Sequence, residues 1–238
     1  MRNQWIAPLL AFGLSLNLST ASAADQHAGD IQPWKADGQV FVNGDWFEAD
    51  FGDLSGGLYR TDDPGYDANT ALGAFGAGNW LWFSGLNSLQ FWNGSVWSNT
   101  VPNGEHIELT DALGNVTTFN TSGVQNASGV IGQFDNAGDI HEHLDMAIRN
   151  ASDALGGSAG AYWITLQLFE SLAESSTPLA NSSSTPFHIL FNRGLAHADF
   201  ELAVEAASTA PVPLPGAVWL FAPAIAGLLG FGRRKPAA

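Results

Sequence analysis

The chain has 238 residues and a formal net charge of −15, with only 13% charged residues against 27 glycines and 9 tryptophans. That balance argues against a nucleic-acid partner, because phosphate binding requires basic surface, and a hydrophobic content of 45% argues against disorder. Cysteine is absent, which excludes disulfides and thiolate metal sites, so any metal must be held by imidazole and oxygen.

Residues 1–23 carry a basic Arg2, an apolar run from Trp5 to Leu18 and a small-residue end, Ala21-Ser22-Ala23. The pattern predicts a secretory signal peptide, since the apolar run is shorter than the roughly 20 residues a permanent span needs. The mature chain then begins close to His27 and continues as one acidic extracellular domain over 24–210. All 23 acidic residues fall between Asp25 and Glu205, where only Lys35, Arg60, Arg149 and Arg193 are basic.

Within that domain the turn signals are frequent. Asp37-Gly38, Asn43-Gly44, Gly56-Gly57, Pro64-Gly65, Asn93-Gly94, Asn103-Gly104, Gly114-Asn115 and Gly156-Gly157 punctuate short apolar runs. The runs Gln39 to Val42, Asp45 to Glu48, Trp80 to Phe83, Leu89 to Trp92, His106 to Leu109, Tyr162 to Phe169 and Phe187 to Phe191 are rich in aromatic and β-branched residues and read as strands. The expected fold class is all-β, a β-sandwich-like domain with a minor helix. That helix is placed near Asp199 to Ala207, where Phe200, Ala203 and Val204 recur at helical spacing after Asp199 as N-cap. Leu172 to Asn181 reads as a loop.

The segment from Ile140 to Met146 carries the clearest chemistry. As a strand it would put His141, His143 and Asp145 on one face, with Ile140, Glu142, Leu144 and Met146 on the other. Same-face neighbours lie about 6.6–7 Å apart, close enough for two side chains to meet on one cation. Two imidazoles with a carboxylate are the set that Zn²⁺ or Cu²⁺ prefers when thiolates are missing. A His-Glu-x-x-His helix is not present here, so a metallopeptidase finds no support. Because imidazole must be neutral to ligate, metal binding is expected to weaken as pH falls through about 6.5.

Other motifs read as structural. Asp50 to Asp53 and Asp62 to Asp67 offer oxygens without the spacing of a calcium loop, and are read as solvated turns. Gly156 to Gly160 matches a nucleophile-elbow pattern, but lacks the strand before it and the helix after it, and reads as a Gly/Ser loop. Burial is the expected state of most of the tryptophans, although Trp80 and Trp82 would share a strand face. His106, His188 and His197 are read as ordinary strand or loop residues.

The C-terminus runs Pro211-Val212-Pro213-Leu214-Pro215, an apolar stretch from Gly216 to Gly232, then Arg233-Arg234-Lys235. This order of proline motif, Trp-Leu-Phe helix and arginine cluster resembles the PEP-CTERM sorting signal in a Val-Pro-Leu-Pro variant, in which Leu214 replaces the family's glutamate. The resemblance implies a sorting tail over 211–238, with Val212, Pro213, Leu214, Pro215, Arg233 and Arg234 as its motif. It further implies a single transient inner-membrane helix, cleavage by an exosortase and delivery to the cell surface. Pro223 would weaken that helix as an anchor.

A second, looser resemblance covers most of the domain. His27-Ala28-Gly29-Asp30-Ile31, Thr61 to Ala68, Ile140 to Asp145, and Pro186 to Asn192 followed by Phe200-Glu201 recur in order in PEP-CTERM surface proteins repressed by the zinc-responsive regulator Zur. That likeness implies surface metal handling, with His27, His141 and His143 as ligands and Asp145 as their neighbour. The expected function is an exported, non-enzymatic surface protein that binds zinc. The alternative is a structural or carbohydrate-binding component of the extracellular polymeric matrix. Expected partners are signal peptidase and exosortase during export, the inner membrane transiently, and exopolysaccharide.

Overall fold

The turn chemistry read from the sequence closes the first hairpin directly. Asp37 and Gly38 both take positive φ, 50° and 85°, as a two-residue turn matched to strand twist requires. They join β1 (Trp34–Ala36) to β2 (Gln39–Phe41) with Ala36 opposite Gln39. The structure is a computed structural model that describes residues 29–53 and 57–209. The segment read as a signal peptide, His27 and the segment read as a sorting tail all lie outside the described residues.

After the first hairpin come β3 (Trp46–Asp50), β4 (Arg60–Thr61), β5 (Tyr66–Asp67), β6 (Trp80–Trp92), β7 (Trp97–Ser98) and β8 (His106–Thr110). Next are β9 (Val116–Asn120), β10 (Gly123–Gln125), β11 (Ser128–Gln133), β12 (His141–Glu142) and β13 (Asp145–Arg149). The last are β14 (Gly160–Ser171), β15 (Phe187–Arg193) and one helix, α1 (His197–Thr209). The fold is all-β with a minor helix. One sheet runs β10-β9-β8-β13-β4 and another runs β11-β6-β14-β15-β3, with β7 paired to β6. Pairing is antiparallel in these sheets except between β15 and β3.

One apolar cluster draws on both sheets. Leu81, Phe83, Leu89, Ile164, Leu166 and Leu168 come from the six-stranded sheet, and Ile107, Leu109, Phe119, Met146 and Ile148 from the five-stranded one. Burying such side chains supplies about 1.5–3 kcal/mol each. The Phe119 ring lies over Gly85 of β6 so closely that a Cβ there would stand 2.7 Å from the ring's tip. Glycine is therefore the residue that lets the two sheets meet at this point.

Two details differ from the sequence reading. The runs 80–83 and 89–92 belong to a single strand, because the break between them is a bulge: Asn87 takes φ 61° and the register to β14 shifts between Trp163 and Thr165. The helix starts two residues before Asp199, and the Ala196 carbonyl accepts the Asp199 and Phe200 amides at 2.9 and 3.0 Å. Asp199 thus stands in the first turn, where its charge complements the helix dipole rather than capping it. Phe200, Ala203 and Ala207 of α1 are buried in a second cluster with Trp92, Ala161 and Leu190. Among the described residues no helix is long and apolar enough to cross a membrane.

Candidate metal centre

Three chain segments far apart in sequence are stitched side by side. The Ile31 amide donates to the Gly65 carbonyl at 3.0 Å, and the Asp67 amide donates to the Ile31 carbonyl at 3.0 Å. On the other side β5 pairs antiparallel with β12, setting His141 opposite Asp67 and Glu142 opposite Tyr66. The Ala68 amide closes this pairing on the Ile140 carbonyl at 2.9 Å. Ile31, Tyr66 and Ile140 enter the core. Alternation along extended chain then turns Asp30, Gly65, Asp67 and His141 to the opposite side.

On that side two imidazoles and three carboxylates converge. His141 Nδ1 lies 3.7 Å from Asp67 Oδ1, and His143 Nδ1 lies 3.6 Å from Asp63 Oδ1. The two ring centres lie 5.2 Å apart in an edge-to-face arrangement, with planes 61° apart. Asp30 is 4% exposed, and its Oδ1 accepts the Gly65 amide at 3.0 Å. Asp30, Asp63 and His143 each offer a ligand atom within 4.8 Å of the others, and so do Asp30, Asp67 and His141.

His143 Nδ1 sits 3.0 Å from the Asp62 carbonyl. A carbonyl can only accept, so Nδ1 carries the proton and Nε2 the lone pair, the orienting arrangement typical of a ligating histidine. Gly65 gives this ring its room.

The carboxylates are held at an electrostatic cost. Burial pushes the Asp67 carboxyl above its ordinary range, and His141 only partly offsets this. Asp67 is 4% exposed, and its Oδ2 is buried with no hydrogen-bond partner among the described residues. Burial also raises Asp63, with the negative charges of Asp53 and Asp62 adding to the effect and His143 opposing it. Asp30, Asp63 and His143, but not Asp67 or His141, line a cavity of about 740 Å³ whose wall also includes Asp50, Asp53 and Asp62. Thr61 ties this wall together: its hydroxyl donates to Asp53 at 2.8 Å and accepts the Asp63 amide at 3.1 Å.

The structure brings together His141 and His143, but not along one strand. β12 ends at Glu142 and β13 begins at Asp145, so the segment changes sheets between them. Asp145 pairs with Thr110 in the five-stranded sheet, is exposed, and joins neither histidine grouping. His27 lies outside the described residues. Asp30, Asp63 and Asp67 were not singled out by sequence reasoning as partners of these histidines. The signal for them is weak: an Asp beside a core Ile, and an Asp-Asp-Pro-Gly-Tyr-Asp stretch that reads as a turn until Gly65 is seen beneath an imidazole.

The remaining motifs have structural roles. Ser158 Oγ donates to Glu105 at 2.5 Å. Burial raises the Glu105 carboxyl, but hydrogen bonds from Ser158 and Asn103 outweigh it and leave the group below its ordinary range. Trp46, Trp97 and Trp163 are half-buried against the second cluster, with His188 stacked on Trp46 at 4.1 Å. Trp80 and Trp82 do share a face, 6.0 Å apart, and the Trp82 indole donates to Ser171 at 2.9 Å. Comparison with family models, with curated proteins and with solved structures finds no match to this chain.

Proposed function

We propose that this chain is an exported cell-surface protein that binds a divalent transition-metal cation, zinc above all, through His141 and His143 assisted by Asp30, Asp63 and Asp67. The observation that carries this reading is the convergence of two imidazoles and three carboxylates from three distant segments. Imidazole donors favour zinc or copper over the hard cations that all-oxygen sites select. The acidic cavity beside the group raises the local concentration of cations. His27, three residues ahead of Asp30, is a further ligand in this reading.

Export rests on the signal-like residues 1–23, and sorting on the tail with Val212 to Pro215 and Arg233-Arg234. In this account an exosortase releases the domain to the surface, where it buffers or presents metal without catalysing a reaction. Packing of the two sheets as a β-sandwich is part of the same proposal, supported by the shared apolar cluster. A polysaccharide-binding role finds less support, since Trp46, Trp97 and Trp163 pack beneath α1 rather than forming an open platform. Zinc titration of the purified full-length chain by calorimetry tests the function, with His141→Ala/His143→Ala as the comparison.

A further inference from the structure

We infer that the centre is binuclear, with one cation held by Asp67 and His141, a second by Asp63 and His143, and the Asp30 carboxylate bridging the two. This deepens the metal-binding reading and rests on it. The two groupings that contain a histidine share Asp30 and nothing else, and a third, all-carboxylate grouping of Asp53, Asp62 and Asp63 adjoins the His143 one. Each of the first two brings one imidazole and one carboxylate of its own, and neither contains both imidazoles. A single zinc ion with bonds of about 2.0–2.1 Å would need ligand atoms closer together than the two groupings allow as they stand. Two ions bridged by a carboxylate sit about 3.5–4 Å apart, which suits two rings whose centres are 5.2 Å apart.

Independent observations point the same way. Asp67 is almost wholly buried, yet its Oδ2 has no hydrogen-bond partner among the described residues, so a cation is the natural occupant beside it. Three carboxylates share this small region, a concentration of negative charge that favours a bound cation. The Gly65 amide on Asp30 Oδ1 and the Asp62 carbonyl on His143 Nδ1 orient the bridging and terminal ligands. Each ion then has three protein ligands and an open fourth position, the arrangement of exchangeable rather than permanently closed sites.

The experiment is equilibrium dialysis of the untagged full-length chain, stripped with chelator, against Zn²⁺, followed by elemental analysis. The expected result is two zinc ions per chain, one in His141→Ala, one in His143→Ala, and at least a tenfold loss of affinity for both ions in Asp30→Asn. Circular dichroism of each variant checks folding, and electron paramagnetic resonance of the Co²⁺-loaded parent chain gives a reading that needs no variant, with spin coupling between two cobalt ions expected. One ion per chain, lost on substituting either histidine, overturns the binuclear assignment while leaving the metal-binding function standing. No bound zinc removes both. Two ions with an uncoupled cobalt signal, or with affinities unchanged in folded Asp30→Asn, overturn the bridge.

Discussion

A Cβ on Gly65 would stand 2.6 to 2.9 Å from three ring atoms of His143. The imidazole therefore occupies space that only glycine leaves open, and Gly65→Ala must displace it. Gly65 is not among the glycines with positive φ, so alanine meets no backbone penalty and the effect is confined to the ring. Displacing an orienting neighbour of this kind is expected to lower zinc affinity by about 10–100-fold. Calorimetry on the folded variant measures it, and an unchanged affinity would remove His143 from the ligand set.

Asp67→Asn separates binding from folding. Burial already disfavours the charged Asp67 carboxylate, so removing the charge should leave the metal-free melting temperature unchanged or raised. Zinc-induced stabilisation should meanwhile fall sharply, because the anionic carboxylate facing His141 becomes a neutral amide, a much weaker metal ligand. A thermal-shift series with and without zinc reads both quantities. A large drop in the metal-free melting temperature would make Asp67 a structural residue instead.

The pH dependence follows from the direction of the shifts. Asp63 and Asp67 titrate above their unfolded values, chiefly because of burial. The stability they contribute is present below the ordinary carboxylate value and is lost as pH rises through their folded values. At neutral pH they thus burden the metal-free fold, a burden that zinc is expected to relieve in the proposed centre. The rise in melting temperature on adding zinc should be larger at pH 7 than at pH 5, and a pH-independent rise would contradict these carboxylates as ligands.

His188 behaves oppositely. Burial lowers it from 6.5 to about 4, against a weaker pull from Asp45. Its neutral ring accordingly supports the fold above 6.5, and that support is lost as pH falls toward about 4. Proton NMR should show the His188 ring still neutral at pH 5; a midpoint near 6.5 would mean that the cover of Trp46 and Trp163 opens in solution.

Much of the scaffold was legible because its signals are local. Asp37-Gly38 announces its hairpin, and the aromatic and β-branched runs of β6, β14 and β15 announce strands. Strands β9, β10 and β11, read Val-Thr-Thr-Phe-Asn, Gly-Val-Gln and Ser-Gly-Val-Ile-Gly-Gln, carry too few apolar residues to declare themselves. At the site, His141 and His143 were paired in the sequence through alternation along one strand, although that strand ends at Glu142 and the chain then passes to another sheet. Asp30, Asp63 and Asp67 were not, since what brings them there is pairing between residues 31, 65–67 and 141, and two-residue strands have no period to detect.

The meeting of the two sheets has its own test. Gly85→Val would drive two methyls into the Phe119 ring, and overpacking of this kind costs about 1–3 kcal/mol. Urea unfolding should show a lowered midpoint, and an unchanged midpoint would mean that Phe119 does not pack over β6.

In the proposed centre His141 and His143 hold the metal. Calorimetric titration of the full-length chain with Zn²⁺, beside the variant His141→Ala/His143→Ala, tests it most directly. Both rings are partly exposed, with side chains 38% and 27% accessible, so the variant should fold as the parent does. The parent should show saturable zinc binding and the variant none at the same concentrations. Equal affinity and stoichiometry in the two proteins would contradict it.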